Sequence, residues 1–291
     1  MKKKGWIALF LFPAVLLEVV FIFFPIVMNF YYSLFEWSAF STSMKFIGLR
    51  NYTALFTDET IGTAVRNNII FAVLSILFQV GVAMVLAAIL EEKAVRRTEG
   101  FFRVVYFIPS LMSITVTGLL FQMLFSPRMG VVNALVELLG FSAENIDLLG
   151  NTATAIWSVA MVSQWQYTGY GVMLFLVAMQ KVPQEYYEAA IVDGANPMQR
   201  FLHVTVPQVR ETTLVNTVIT LIGAFKVFDE VYVMTNGGPG RASEVLATYL
   251  YRSGFRNDVM GYASAIACLV FVITFLLSLG QLKLSKVEVD G

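Results

Sequence analysis

Apolar residues in this chain come in long uninterrupted blocks, and the charged and turn-forming residues collect between them. A helix needs about 20 predominantly apolar residues to cross the hydrocarbon of a bilayer. Six blocks reach that length, at about residues 7–34, 68–90, 104–125, 152–179, 213–234 and 260–282. The pattern predicts an all-α membrane protein with six transmembrane helices. No Gly/Ser- or Pro-rich linker divides the chain and no internal repeat is evident, so residues 1–291 read as a single transmembrane domain. The first block follows Lys2, Lys3 and Lys4, as the apolar core of a leader would. It is too long for that, and no small-x-small cleavage site follows it, so it reads as a retained span. It either joins the bundle or lies peripheral to a five-span core. Glu18 near its middle, and Pro13 and Pro25 as points where it could kink, set it apart.

Composition agrees. The chain is 57% hydrophobic and 14% charged, with a mean hydropathy of +0.71, whereas a soluble domain carries about 25% charged residues. Twenty basic and twenty acidic residues cancel, so nothing points to a nucleic-acid partner. Cys268 is the only cysteine; it can form no internal disulfide and reads as a small buried hydrophobe.

Orientation follows from Lys and Arg near the span ends. With the N-terminus inside, the inner segments carry Lys2, Lys3, Lys4, Lys93, Arg96, Arg97, Arg103, Lys181, Arg200, Arg210, Lys283 and Lys286. The outer segments carry Lys45, Arg50, Arg66, Arg128, Arg241, Arg252 and Arg256, although two of them, 36–67 and 235–259, are long. The excess predicts a multi-pass protein with both termini in the cytoplasm.

The most informative text is the inner loop 181–210, KVPQEYYEAAIVDGANPMQRFLHVTVPQVR. Pro183 suits a first helical position, with Glu185 and Glu188 near the positive end of that helix. Ala189 and Ala190 favour helix and offer a smooth face for close packing. Gly194 supplies the left-handed residue that commonly ends a helix. Asn196-Pro197-Met198-Gln199 then starts another, with Asn as N-cap and Gln at the capping-box position, and Pro207 stops it before the fifth span. Two readings of this helix–turn–helix stand: a docking element for a partner, or an amphipathic hairpin on the bilayer surface. The interleaving of Val182, Tyr186, Tyr187 and Ile191 with acids rather than lysines favours docking.

Glu188-Ala189-Ala190, Gly194 after three residues, and Val204-Thr205-Val206-Pro207 after nine more resemble the EAA loop of binding-protein-dependent ABC importer permeases. Val204 and Val206 stand where that family usually has Ile and Leu. Phe225-Lys226-Val227-Phe228-Asp229 leading to Thr235-Asn236-Gly237-Gly238-Pro239 is similar to the carbohydrate branch, the maltose and glycerol-phosphate type. Phe107-Ile108-Pro109 and Gly130-Val131-Val132-Asn133 are similar to the same group. The resemblance covers about residues 6–283. It implies a type I importer permease fold whose coupling helix, carrying Glu185, Glu188, Ala189, Ala190, Asp193, Gly194 and Pro207, docks on an ATP-binding subunit. It also implies a second permease subunit sharing the translocation path, two ATPase copies and an extracytoplasmic solute-binding protein. The chain itself would catalyse no covalent chemistry and need no cofactor.

The residues fit that division of labour. No G-x-x-x-x-G-K-[ST] phosphate loop occurs, no His/Cys cluster has metal spacing, and His203 is the only histidine. Polar residues inside spans are costly and usually face a cavity or a neighbouring helix. Gln164, Tyr167, Thr168 and Tyr170, around Gly169 and Gly171 in the fourth block, suit a sugar with its hydroxyl edges and apolar faces. They equally suit interhelical hydrogen bonding with the glycines admitting a close neighbour. Lys226, Asp229 and Glu230 read as an intrahelical charge group at i, i+3 and i+4, with Asp229 a candidate for the substrate path. An importer of polyamines or phosphorylated compounds is the alternative cargo reading, and an integral membrane enzyme or a passive channel the rivals from other classes.

Overall fold

Helix occupies all six predicted stretches, but several of the helices are interrupted. The computed structural model describes residues 2–92, 98–127, 130–140 and 146–289. Lys93, Arg96, Arg97 and Arg128 of the orientation argument lie outside the described residues, as do the side chains of Lys2, Lys3, Lys4 and Lys286.

The first stretch is α1 (Lys2–Glu18), a π-helical turn (Val19–Phe23) and α2 (Phe24–Tyr32), with Pro25 opening α2 and Pro13 accommodated inside α1. A short hairpin, β1 (Phe35–Glu36) paired with β2 (Lys45–Phe46), leads to α3 (Arg50–Thr57). The second stretch starts earlier than expected: α4 (Glu59–Ser75), a π segment (Ile76–Val82) and α5 (Ala83–Glu91). Asp58 sets that start by accepting hydrogen bonds from the Thr60 backbone N–H at 2.8 Å and the Tyr262 hydroxyl at 2.7 Å.

The third and fifth stretches are not the single helices that their hydropathy suggests. α6 (Glu99–Leu111) and α7 (Ile114–Leu124) meet at a 96° bend just beyond Pro109. After α8 (Val131–Leu138) and the long α9 (Ala155–Met179) come α10 (Gln184–Val192), α11 (Pro197–Arg200), a π turn (Phe201–Thr205) and α12 (Val206–Gln208). α13 (Arg210–Lys226) ends where Val227 turns extended (φ −55°, ψ 126°), and α14 (Asp229–Met234) begins anew. Lys226 therefore ends one helix while Asp229 and Glu230 open the next, so the intrahelical charge group is not formed. α15 (Leu246–Tyr251), a π turn (Arg252–Arg256) and α16 (Met260–Val289) complete the chain.

Among the described residues three helices are long and apolar enough to cross a membrane alone, Leu9–Tyr32, Glu59–Glu91 and Met260–Gln281, and the bent α6–α7 pair adds a fourth. α13 is short, at 17 residues, and the apolarity of α9 is diluted by Gln, Tyr and Trp.

The chain forms two compact units, Met1–Gly62 with Tyr249–Val272, and Thr63–Thr248 with Ile273–Gly291. In the first, Asn29 donates to the Ser264 carbonyl at 3.2 Å and Asn51 to those of Ser33 and Phe35 at 2.8 and 3.0 Å. In the second, α5 packs along α9. Ala83, Ala87, Val172, Phe175 and Leu176 are fully buried there. Small side chains let the backbones approach, which is how helices associate in lipid, where no hydrophobic drive separates them from acyl chains.

Breaks in a buried helix free carbonyls that lipid cannot satisfy, and side-chain amides meet them here. Gln166 donates to the Met112 carbonyl at 2.9 Å, at the α6–α7 bend. Asn68 donates to the Ala224 carbonyl at 2.8 Å, just before the α13–α14 break. Gln122 donates to the carbonyls of Val233 and Met234 at 2.8 and 3.0 Å, at the end of α14.

Candidate functional site

The inner loop is built by its caps. α10 starts at Gln184, with Pro183 one position earlier than expected, as N-cap (φ −57°, ψ 132°). Its end is a full Schellman motif: Ala195 N–H bonds the Ala190 carbonyl at 2.9 Å and Gly194 N–H that of Ile191 at 3.0 Å, with Gly194 at φ +80°. α11 opens with a reciprocal capping box between Asn196 and Gln199, both bonds at 2.9 Å. Pro207 does not stop the second helix. It lies inside α12, downstream of the π turn that widens the helix just before it, and the chain resumes as α13 at Arg210. His203 bonds the Gln199 carbonyl at 3.0 Å through Nδ1 and is exposed.

Tyr187 and Thr205 hydroxyls meet at 3.2 Å and hold α10 against the π turn. Arg200 pairs with Glu92 beyond α5 at 3.2 Å, and Gln180 donates to Glu91 at 2.8 Å. Between them lies a cleft of about 560 Å³ that Tyr187, Ile191 and Phe201 also line. Glu185, Glu188, Ala189, Asp193 and Gly194 are exposed on the loop, Ala190 is half-buried and Pro207 is exposed. Tyr186, Ile191, Val192, Met198 and Leu202 add large apolar surface, Val192 at 87% exposure.

The second feature is a half-open cavity of about 630 Å³ among α4, α6, α9, α13 and α14. Its polar lining is Ser75, Gln79, Ser110, Ser163, Tyr167, Tyr170, Thr220, Lys226, Asp229 and Glu230, against Phe71, Ile219 and Phe228. Glu230 is buried and accepts a hydrogen bond from Ser163 at 3.3 Å. Breaking the fifth stretch at Val227 is what turns the first turn of α14, with Asp229 and Glu230, into this space.

The fourth-stretch candidates separate. Tyr167, Tyr170 and, from α14, Asp229 line the cavity. Gln164 is buried and spans helices, accepting from Gln79 Nε2 at 2.9 Å while donating to the Ala160 carbonyl at 3.0 Å. Thr168 returns its hydroxyl to the Gln164 carbonyl at 2.6 Å. Gly169 and Gly171 sit against the backbone carbonyls of Tyr106 and Gln79, at which a Cβ would stand 1.7 and 2.2 Å away. Sequence reasoning passed over Ser75 and Gln79; their i, i+4 spacing inside an apolar block was the available signal.

Apolar spans, a mainly apolar cavity set with a few polar groups, and a separate exposed helical loop fit an integral membrane permease. The chain belongs to the family described as binding-protein-dependent transport system inner membrane component, whose sequence profile matches residues 79–286. It is 50% identical over 278 residues to the probable ABC transporter permease protein YurN of Bacillus subtilis (strain 168), covering 96% of this chain and 95% of that one. It is 35% identical over 285 residues to the arabinooligosaccharides transport system permease protein AraP of the same organism, covering 97% and 89%. It shares its fold with a chain of a bacterial ABC transporter involved in the import of the acidic polysaccharide alginate. The TM-score there is 0.85 at 23% identity, over 98% of this chain and 96% of that one. The protein is thus a permease subunit of an ABC importer, and not itself an enzyme.

Proposed function

We propose that this chain is the path-forming subunit of a sugar importer, crossing the membrane six times as a single domain over residues 1–291 with both termini in the cytoplasm. The observation that carries the cargo assignment is the cavity lining, where the hydroxyls of Ser75, Ser110, Ser163, Tyr167, Tyr170 and Thr220 stand among apolar side chains and the rings of Phe71 and Phe228. Hydroxyl edges and apolar C–H faces of a sugar match such a surface. The saccharides named for AraP and for the alginate importer support the same reading. Lys226 at the cavity favours a phosphorylated compound as the second reading.

In this reading a second permease subunit completes the path, a binding protein delivers the sugar outside, and two ATP-binding subunits grip the inner loops of the permease pair. Closure of the ATPases draws the coupling helices together and opens the path outward; hydrolysis resets it. Glu185, Glu188, Ala189, Ala190, Asp193 and Gly194 form the docking surface, and Pro207 shapes the helix behind it.

Two measurements test this. A reporter inserted near Gly240 should report outside and one fused after Asp290 inside; the reverse at both sites would overturn the orientation. Uptake of the saccharide recovered from the co-purifying binding protein should fall up to about tenfold in Tyr167→Ala and Tyr170→Ala, as for loss of one hydrogen bond or ring contact. Complex abundance and basal ATPase activity should stay unchanged. Gln164→Ala should instead lower abundance, because it leaves the Gln79 amide unpaired. Unchanged uptake in both tyrosine variants would place the sugar elsewhere.

A further inference from the structure

The segment after the first span carries a fixed helix with an uncovered apolar edge. Asn51 and Leu55 of α3 are buried. Asn51 donates to the carbonyls of Ser33 and Phe35, and Tyr52 and Ser33 hydroxyls meet at 2.6 Å. Gly261 lies so close that a Cβ there would stand 1.9 Å from the Phe35 carbonyl. α3 is therefore held at the level of Ser33, immediately beyond the end of the span at Tyr32.

At about 100° per residue, the rest of α3 divides into two further sectors. Phe56 and the N-cap residue Leu49 fall together on one edge, 92% and 66% exposed, and Arg50 and Thr57 fall on the other. Phe46, 65% exposed, extends the apolar edge into the hairpin. Aromatic rings run without a gap from the span to this edge: Tyr31 to Phe35 at 4.7 Å between centroids, and Phe35 to Phe46 at 5.4 Å. Tyr32 and Trp37 pair beside them at 5.1 Å. Such a band marks the headgroup level of a membrane protein. The span leading to it has none of its apolar window buried within the chain.

We propose that α3 lies in the lipid interface, with Phe46, Leu49 and Phe56 among the upper acyl chains and Arg50 at the phosphates. Pinned side, lipid side and water side then account for the helix, with the exposed Thr53 on the boundary between the last two. The helix anchors the outer end of the first span at a set depth. The proposal rests on the first span lying in the bilayer, as read above.

The test uses the assembled complex in lipid nanodiscs. Cys268, the only cysteine of this chain, is buried and is replaced by Ala. Single cysteines at Phe12, Leu49, Phe56 and Thr57 are labelled with an environment-sensitive fluorophore. Labels at Leu49 and Phe56 should be blue-shifted, shielded from aqueous iodide and quenched by nitroxide-bearing lipid, as at Phe12, while Thr57 remains open to iodide. Shielding at Phe12 with iodide access at Leu49 and Phe56 would overturn the interface proposal alone. Iodide access at Phe12 as well would overturn the span reading beneath it. Shielding at Leu49 and Phe56 that arises only when binding protein is added would make this edge a protein-docking surface and overturn the lipid assignment.

Discussion

Valine at position 194 is expected to lower sugar uptake about tenfold or more while the amount of inserted protein stays unchanged. Gly194 has φ +80°, and a Cβ there would meet nothing within 4 Å, so the whole cost is backbone strain. A left-handed conformation costs an L-residue about 1–2 kcal/mol, and a β-branched one more. That sum falls on two exposed hydrogen bonds, Ala195 to Ala190 and Gly194 to Ile191, which turn α10 into α11. Losing them swings α10 away from the π turn without touching any span. Glu188→Lys provides an independent probe, because Glu188 is exposed and its reversal alters the proposed docking face rather than the fold. Uptake, membrane abundance and co-purified ATPase should be measured in the same samples. Normal uptake with normal ATPase retention in both variants would remove the loop from the coupling path. Stronger binding of Glu188→Lys to anionic lipid with transport preserved would point to the surface hairpin instead.

Alanine at Gly169 should be the most damaging small substitution in the membrane region. Its Cβ would stand 1.7 Å from the Tyr106 carbonyl oxygen and 2.5 Å from the carbonyl carbon, both backbone atoms that cannot rotate aside. α6 and α9 would have to separate, with loss at or above the ~1–3 kcal/mol usual for overpacking. Their separation would also draw Gln166 from the Met112 carbonyl. A large fall in folded complex and in thermal midpoint is expected. Gly280→Ala in α16, where a Cβ meets nothing within 4 Å, serves as the control and should be neutral or slightly stabilising. Equal stability of the two variants would mean that α6 and α9 do not approach as closely as described.

Apolar block length predicted helix in every stretch, because composition over about 20 residues is what a bilayer selects. The bends escaped it for the same reason: a sliding average cannot register one residue turning extended. Pro109 signalled the first, three residues ahead of Met112. At the second there is no Gly or Pro, and the cue was Asp229-Glu230, two acids of the kind that open helices rather than of the kind that pair along one. In the loop, Gly194, Asn196 and Gln199 were legible because capping chemistry is local. Pro207 was misplaced because a π turn upstream relieved the conflict that would have ended the helix. The fourth stretch was ambiguous for a different reason: amides serve sugars and carbonyls equally well, and only knowing that Gln79 faces Gln164 separates the two.

Gln79 also carries a consequence for how this chain can vary. Its side chain holds Gln164 of α9, and its carbonyl, beside Gly171, accepts from Asn216 of α13 at 2.9 Å. Three helices thereby share one registration mark. A single inserted or deleted residue on any of them, between this mark and a helix end, leaves one end in place and rotates the other by about 100°. A length change there is costly unless a π turn absorbs it, as the segment Ile76–Val82 around Gln79 itself can, while point changes at Tyr167, Tyr170 or Lys226 leave the mark intact. A lineage with this architecture can vary the cavity lining by substitution and its length most freely in the loops.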